Sequence, residues 1–199
     1  MTYIIGISGA HGTGKSTMLK RLAQRNLPNI VVDDFSASRS VQNDYGKDLE
    51  QIVDDPKNVP EFQDRILARK SEHLRTLRSR HAGTNTVIFT DRSPVDMYAY
   101  ARLWTDEHNF ARDWLYKYSE NCIHAMVDYN AVVLVPIRTF PFDTEEQRAS
   151  RQTQQPHQAL CNHFAEQYVK TIYPLVAEDI DQRADELLLI ATRIVSANV

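Results

Sequence analysis

The stretch Gly9-Ala10-His11-Gly12-Thr13-Gly14-Lys15-Ser16-Thr17 decides how the rest of this sequence reads. It fits the pattern G-x-x-x-x-G-K-[ST], with Gly9, Gly14, Lys15 and Ser16 at the defining positions. Glycines let a backbone curl until successive N–H groups point inward, and that concavity suits phosphate oxygens. A lysine at this position reaches the β- and γ-phosphates, and the next hydroxyl can ligate Mg²⁺. The flanks agree with this reading. Tyr3-Ile4-Ile5-Gly6-Ile7-Ser8 reads as a buried strand, and Lys15 to Arg25 as a helix with Met18, Leu19 and Leu22 on one face. A strand, a glycine loop and a helix N-terminus together predict a nucleoside triphosphate site with contacts from Gly9 through Thr17.

The composition sets bounds. A chain of 199 residues with 42% hydrophobic and 25% charged residues is expected to form one domain with its own core. Its net charge of −3 provides no global basic field for nucleic acid. Cys122 and Cys161 lie far apart, outside any CxxC or Cys/His spacing, which points to reduced thiols in a cytoplasmic setting. Met1-Thr2 runs straight into the first strand, with no charged leader, and no apolar run is long enough to span a membrane.

Further along, Asn29-Ile30-Val31-Val32 reads as a second buried strand whose C-terminal end carries Asp33 and Asp34. Residues Phe35 to Gly46 are polar and poorly patterned, and Lys47 to Asp55 can form a short helix stopped by Pro56. Val59 to Ala82 is expected to be a long helix with an apolar stripe of Phe62, Ile66, Leu67, Leu74 and Leu77. Its other face, with Arg65, Arg69, Lys70, Arg75, Arg78 and Arg80, reads as solvated, with Glu61 pairing to Arg65. Thr86 to Thr90 is a third strand leading into Asp91-Arg92-Ser93-Pro94, where Ser93 and Asp96 form a capping box around a helix to about Trp104. Asn109 to Tyr129 follows as a helix whose stripe of Phe110, Trp114, Tyr118, Cys122 and Met126 reads as core. Ala131 to Val135 is the fourth strand, Arg138 to Gln155 a charged loop, Pro156 to Tyr173 a helix, and Leu187 to Ile190 the fifth strand. The predicted fold is α/β, a five-stranded parallel sheet with helices on both faces. Ligands in such a sheet sit at the C-terminal strand ends, where the glycine loop, Asp33-Asp34 and Asp91-Arg92 all fall.

With these motifs the chain resembles a P-loop kinase of the branch containing thymidylate kinase, the deoxynucleoside kinases and the ribosylnicotinamide kinase domain. Asp91-Arg92-Ser93 looks like that branch's (D/E)-R-(S/Y) motif. The resemblance implies ATP as donor, Mg²⁺ held by Ser16 and Asp91, and phosphate contact by Arg92. It also implies a lid, here about 138–155, whose arginines stabilise the charge of the transferring phosphoryl group. Arg148 is the first candidate for that role and Arg151 the second, with Arg138 in the same stretch. Relatives often carry a further arginine, where this chain has only His157 between Gln152 and Gln158.

The same resemblance puts the acceptor near the second strand, with Asp33 and Asp34 as candidates to face its hydroxyl. Adjacent residues of an extended strand point to opposite faces, so one of the two should face the acceptor, and Asp34 is the choice because it lies further out of the sheet. Arg39 is the candidate arginine on this side, though it sits further downstream than in relatives. Gln63 falls where deoxynucleoside kinases read a base edge. The acceptor is expected to be a nucleoside, a monophosphate or a nucleotide-like hydroxyl. Phage-encoded relatives of thymidylate kinase that act on hydroxymethyluracil in DNA supply an alternative. A nucleotide hydrolase or switch is a second class, set against by the acidic strand end and the lid. No membrane partner is expected, and the chain would act as a monomer or homodimer. Replacing Lys15 with alanine should cut phosphoryl transfer by ~10²-fold or more in a folded protein, measured with labelled ATP.

Overall fold

Alternate side chains of the first strand pack against different helices, and this sets the layers. A computed structural model describes residues 1–109, 111–137 and 151–197. Strand β1 (Thr2–Ser8) pairs on one side with β3 (Thr86–Asp91) and on the other with β4 (Ala131–Leu134). Outside these lie β2 (Ile30–Asp33) and β5 (Ile172–Pro174), so the order is β2-β3-β1-β4-β5 with every pairing parallel.

Tyr3, Ile5 and Ile7 face α1 (Lys15–Gln24) and α8 (Ile180–Ser196), forming a core with Met18, Leu19, Leu22, Leu187 and Ile190. Ile4 faces the other way, with Ile88, onto Leu74 and Leu77 of α4 (Asn58–Arg80). The larger core on that side is built from α2 (Ala37–Tyr45), α3 (Leu49–Val53), α4, α5 (Pro94–His108), α6 (Arg112–Ala125) and α7 (Arg151–Tyr168). The stripe of Tyr118, Cys122 and Met126 is buried in it, while Phe110 lies outside the described residues.

Local signals place most of these elements. Ser93 and Asp96 close the capping box at α5, with Pro94 in its first turn. Ser36 caps α2 by accepting from Arg39 N, and that helix, in a stretch without clear sequence pattern, buries Val41. Several assignments in the C-terminal part differ from the sequence reading. Leu187 to Ile190 is not a strand but the middle of α8, which Asp179 caps by accepting from the N–H groups of Asp181 and Gln182. A strand covered on both faces would bury all four residues, whereas Leu187 is fully buried and Leu189 is 60% exposed. The buried set Leu187, Ile190, Ala191 and Ile194 has helical spacing. The fifth strand is Ile172–Pro174, pairing with Val132 to Leu134. A proline lacks the N–H for a central strand but is tolerated at the edge, where β5 lies. The helix before it begins at Arg151, with Pro156 inside its second turn, and ends at Tyr168. Residues 151–155 of the predicted lid are therefore helical, and Arg138 and Arg148 lie outside the described residues.

Among the described residues no helix is long and apolar enough to cross a membrane. The placement of α8 is checked by two alanine substitutions followed by denaturant unfolding. Leu187→Ala should cost about 2–4 kcal/mol by opening a cavity, and Leu189→Ala about 0.5 kcal/mol or less.

Candidate functional site: the glycine loop and the adjoining cavity

The sheet order changes direction around β1, and the glycine loop emerges at that point. Gly9 has φ of 137°, and a Cβ there would stand 2.4 Å from the Val135 carbonyl, so only glycine fits. Gly14, at φ 85°, turns the chain into α1. A loop that receives phosphate must direct its carbonyls elsewhere, and several here have donors. Lys15 Nζ donates to Gly9 O at 2.8 Å and also to Ala10 O. Arg92 donates to Gly9 O at 2.7 Å, Gln154 to His11 O at 2.8 Å and Arg183 to Thr13 O at 2.8 Å.

The buried carboxylate of Asp96 ties this loop to α5. Its Oδ1 accepts from Gly9 N at 3.1 Å and from Arg92 at 2.7 Å, and its Oδ2 accepts from Ser93 N at 3.0 Å. Burial alone would raise its pKa, but Arg92 and then Lys15 outweigh it and hold the group below the usual carboxylate range. Burial, reinforced by Arg92, lowers Lys15 to about 7. Arg92 holds its position with φ of 68°, an uncommon conformation for a side-chain-bearing residue. Asp96, His157 and Cys161 bring potential ligand atoms within 4.8 Å of one another. A cation is disfavoured there, because Asp96 already serves Gly9, Arg92 and Ser93 and two cationic side chains adjoin it.

Ser16 and Asp91 fit a divalent ion better. Ser16 Oγ donates to Asp91 Oδ2 at 2.9 Å, while Asp91 Oδ1 is buried without a hydrogen-bond partner among the described residues. A buried carboxylate oxygen of this kind beside a hydroxyl has the donor chemistry that a hard divalent cation prefers.

At the end of β2 the two aspartates separate. Asp33 is buried, accepting from Thr90 at 2.7 Å and lying 3.4 Å from Lys70 and 2.8 Å from His73. Burial opposes its ionisation, yet Lys70 and His73 bring its pKa below the ordinary value. Lys70 is 2% exposed and also donates to Thr90 at 2.5 Å and to the carbonyls of Asp91 and Phe35. Asp34 is exposed and lines a cavity of about 350 Å³. Phe35, Phe62, Gln63 and Tyr100 contribute to its walls, and Asp91, Arg92 and Asp96 close it on the glycine-loop side. Lys15, Ser16, Asp91 and Arg92 are thus brought together, with Asp34 and Gln63 on the adjoining cavity. Arg39 is exposed on α2 and is not part of the cavity wall. Arg151 opens α7.

Sequence reasoning missed several contributors. Lys70, read as solvated, occupies a slot of the buried stripe Phe62-Ile66-Lys70-Leu74, and that spacing was the available signal. Gln154, read as part of the lid, shares one inward face of α7 with His157, Gln158 and Cys161. Asp96 was read as a helix cap alone. Arg183, buried in α8, carried no signal beyond its place next to an apolar face.

A family model for an AAA domain matches residues 4–183. The chain belongs to the AAA domain family. No curated protein matches it by sequence. Among solved structures, this AAA domain is similar to a NadR protein in complex with NR, at TM-score 0.69 and 12% identity, over 98% of this chain and 51% of that one. It thus spans about half the length of that relative. It is also similar to thymidylate kinase from Ehrlichia chaffeensis, at TM-score 0.63 and 15% identity, over 95% of this chain and 98% of that one. The fold of this AAA domain is that of the P-loop kinases.

The buried imidazole beneath the glycine loop makes stability depend on pH. Burial is the main cause lowering His157 to about 3, from an ordinary value near 6.5. The unfolded chain therefore binds the extra proton first, and stability is lost as pH falls from about 6.5 toward 3. His157→Asn should remove up to about 1.4 kcal/mol per pH unit from that slope, read by denaturant unfolding across the window.

Proposed function

We propose that this AAA domain is an ATP-dependent kinase that moves the γ-phosphoryl group to a hydroxyl of a nucleoside-like acceptor. The observation that carries this reading is the cavity of about 350 Å³ that abuts Asp91 and Arg92 beside the glycine loop. A hydrolase needs room for a water, whereas this space has aromatic walls, a glutamine amide and a free-standing carboxylate. The two structural neighbours support the same class.

On this reading, the loop N–H groups and Lys15 bind the β- and γ-phosphates, and Lys15 leaves its loop carbonyls to do so. Burial of the lysine strengthens that contact, and phosphate restores its full charge. Ser16 and Asp91 would hold Mg²⁺, which supplies charge neutralisation on the phosphate oxygens. Phe35 and Phe62 give the acceptor's base an apolar wall, and Gln63 offers both a donor and an acceptor to its edge. Asp34 orients the attacking hydroxyl and takes its proton as the new O–P bond forms and the bond to the ADP oxygen breaks. Arg92, released from Gly9 O, contacts the transferring group, as Arg148 and Arg151 would from the lid. Four of the five arginines of α4 are engaged within the protein, Arg65 and Arg69 with Asp44 and Arg75 and Arg78 with Asp128, which weighs against a polymer acceptor on that helix.

Labelled-ATP transfer across nucleosides, monophosphates and DNA with natural or hydroxymethylated bases tests the proposal. Label should appear on a nucleoside hydroxyl. Transfer to DNA alone would move the acceptor to the polymer, and ATP turnover indifferent to every acceptor would make the protein a hydrolase. Asp34→Asn should lower transfer ~10²- to 10⁴-fold with the fold intact. Asp33→Asn should instead lower stability by about 3–5 kcal/mol, since it leaves buried Lys70 without its counter-charge.

A further inference from the structure

A phosphate-binding loop works by facing N–H groups inward, so something must hold the peptides that face away. Helix α7 does this from the side opposite α1. Gln158 Oε1 accepts from Ala10 N at 3.0 Å, and Gln154 Nε2 donates to His11 O at 2.8 Å. Residues four apart on one helix face thus grip consecutive residues of the loop with opposite polarity. The Gln158 amide is oriented from its other end, where Nε2 donates to Asn162 Oδ1 at 2.9 Å. Its oxygen packs close, lying 3.2 Å from where a Gly9 Cβ would be. Gln154 is 4% exposed. Burying α7 does not require either amide, because Cys161, Phe164 and Ala165 already anchor that helix in the core. Neither glutamine lines the acceptor cavity.

We propose that Gln154 and Gln158 are positioning residues for triphosphate binding, holding the Ala10-His11 segment so that the rest of the loop presents its N–H groups to phosphate. This rests on the reading of the loop as a triphosphate site. The two amides act through the backbone and touch no substrate atom. Without the Gln158 or Gln154 amide, the Ala10-His11 peptides lose a contact that fixes their orientation, and a carbonyl turned toward the phosphates repels them. A glutamate at position 158 retains an acceptor for Ala10, and Asn162 can pair with its second oxygen by turning its amide.

The test measures binding of a non-hydrolysable ATP analogue with Mg²⁺ by calorimetry, together with thermal unfolding without nucleotide. Gln158→Met and Gln154→Met should each weaken binding ~5- to 10-fold while the nucleotide-free melting temperature stays within a few degrees of wild type. Gln158→Glu should recover affinity to within about threefold of wild type at high salt, where its charge is screened. Methionine variants that fold and bind like wild type would overturn the proposal. So would a glutamate variant no better than methionine at high salt, because the effect would then be one of packing. Should Gln158→Met fail to fold, Gln154→Met decides the question on the same criteria. A wild-type protein that does not bind the analogue would instead remove the triphosphate site and the kinase reading with it.

Discussion

The buried carboxylate of Asp96 joins the two halves of the site, accepting from Gly9 N–H through one oxygen and from Ser93 N–H through the other. It thereby fastens the end of β1 to the start of α5, two segments that are distant in sequence. Close backbone approach makes the junction tight, since a Cβ on Gly6 would stand 2.8 Å from Ser93 Cβ. The same carboxylate faces Arg92 and Lys15, and Asp91 adds a second negative charge near both. Arg92 and Lys15 also turn to carbonyls of the glycine loop, which solvate them where water is excluded. On the proposed reading, a polyphosphate entering the loop would take the place of these carbonyls as partner to both side chains, with no rearrangement of the sheet.

The second buried ionic centre works differently. Asp33, Lys70, His73 and Thr90 satisfy one another between β2, α4 and β3. This group fixes the end of β2 and directs its neighbour outward, because successive strand residues face opposite ways. Asp34 is left on the cavity wall by the pairing of Asp33 rather than by contacts of its own. Such a centre contributes register more than net stability, since desolvation offsets much of the attraction between its charges.

Much of this was legible in the sequence. The glycine pattern needs no partner to be recognised, because its residues meet the steric and charge demands of phosphate within one turn of chain. Four of the five strands were legible as apolar runs at β1 to β4, and the capping box at Ser93 marked α5 from local hydrogen bonding alone. These are properties of residues close in sequence, and short-range geometry determines them. The run Leu187 to Ile190 misled because four adjacent apolar residues satisfy a buried strand and a helix stripe equally well until their exposure is known. Ile172 to Pro174 is too short to signal a strand without β4 beside it.

What tertiary structure decided is which polar side chains are inside. Lys70, Asp96, Gln154 and Arg183 are each of a type that sequence assigns to the surface; Lys70, Gln154 and Arg183 are buried because a carbonyl from a remote segment accepts from them, and Asp96 because the remote Gly9 N–H donates to it. The sequence by itself determined that a phosphate loop would sit at the end of the first strand. The packing of α5, α7 and α8 around that loop decided how its backbone is held, because a hydrogen bond between residues 83 to 170 positions apart exists only once the chain has folded.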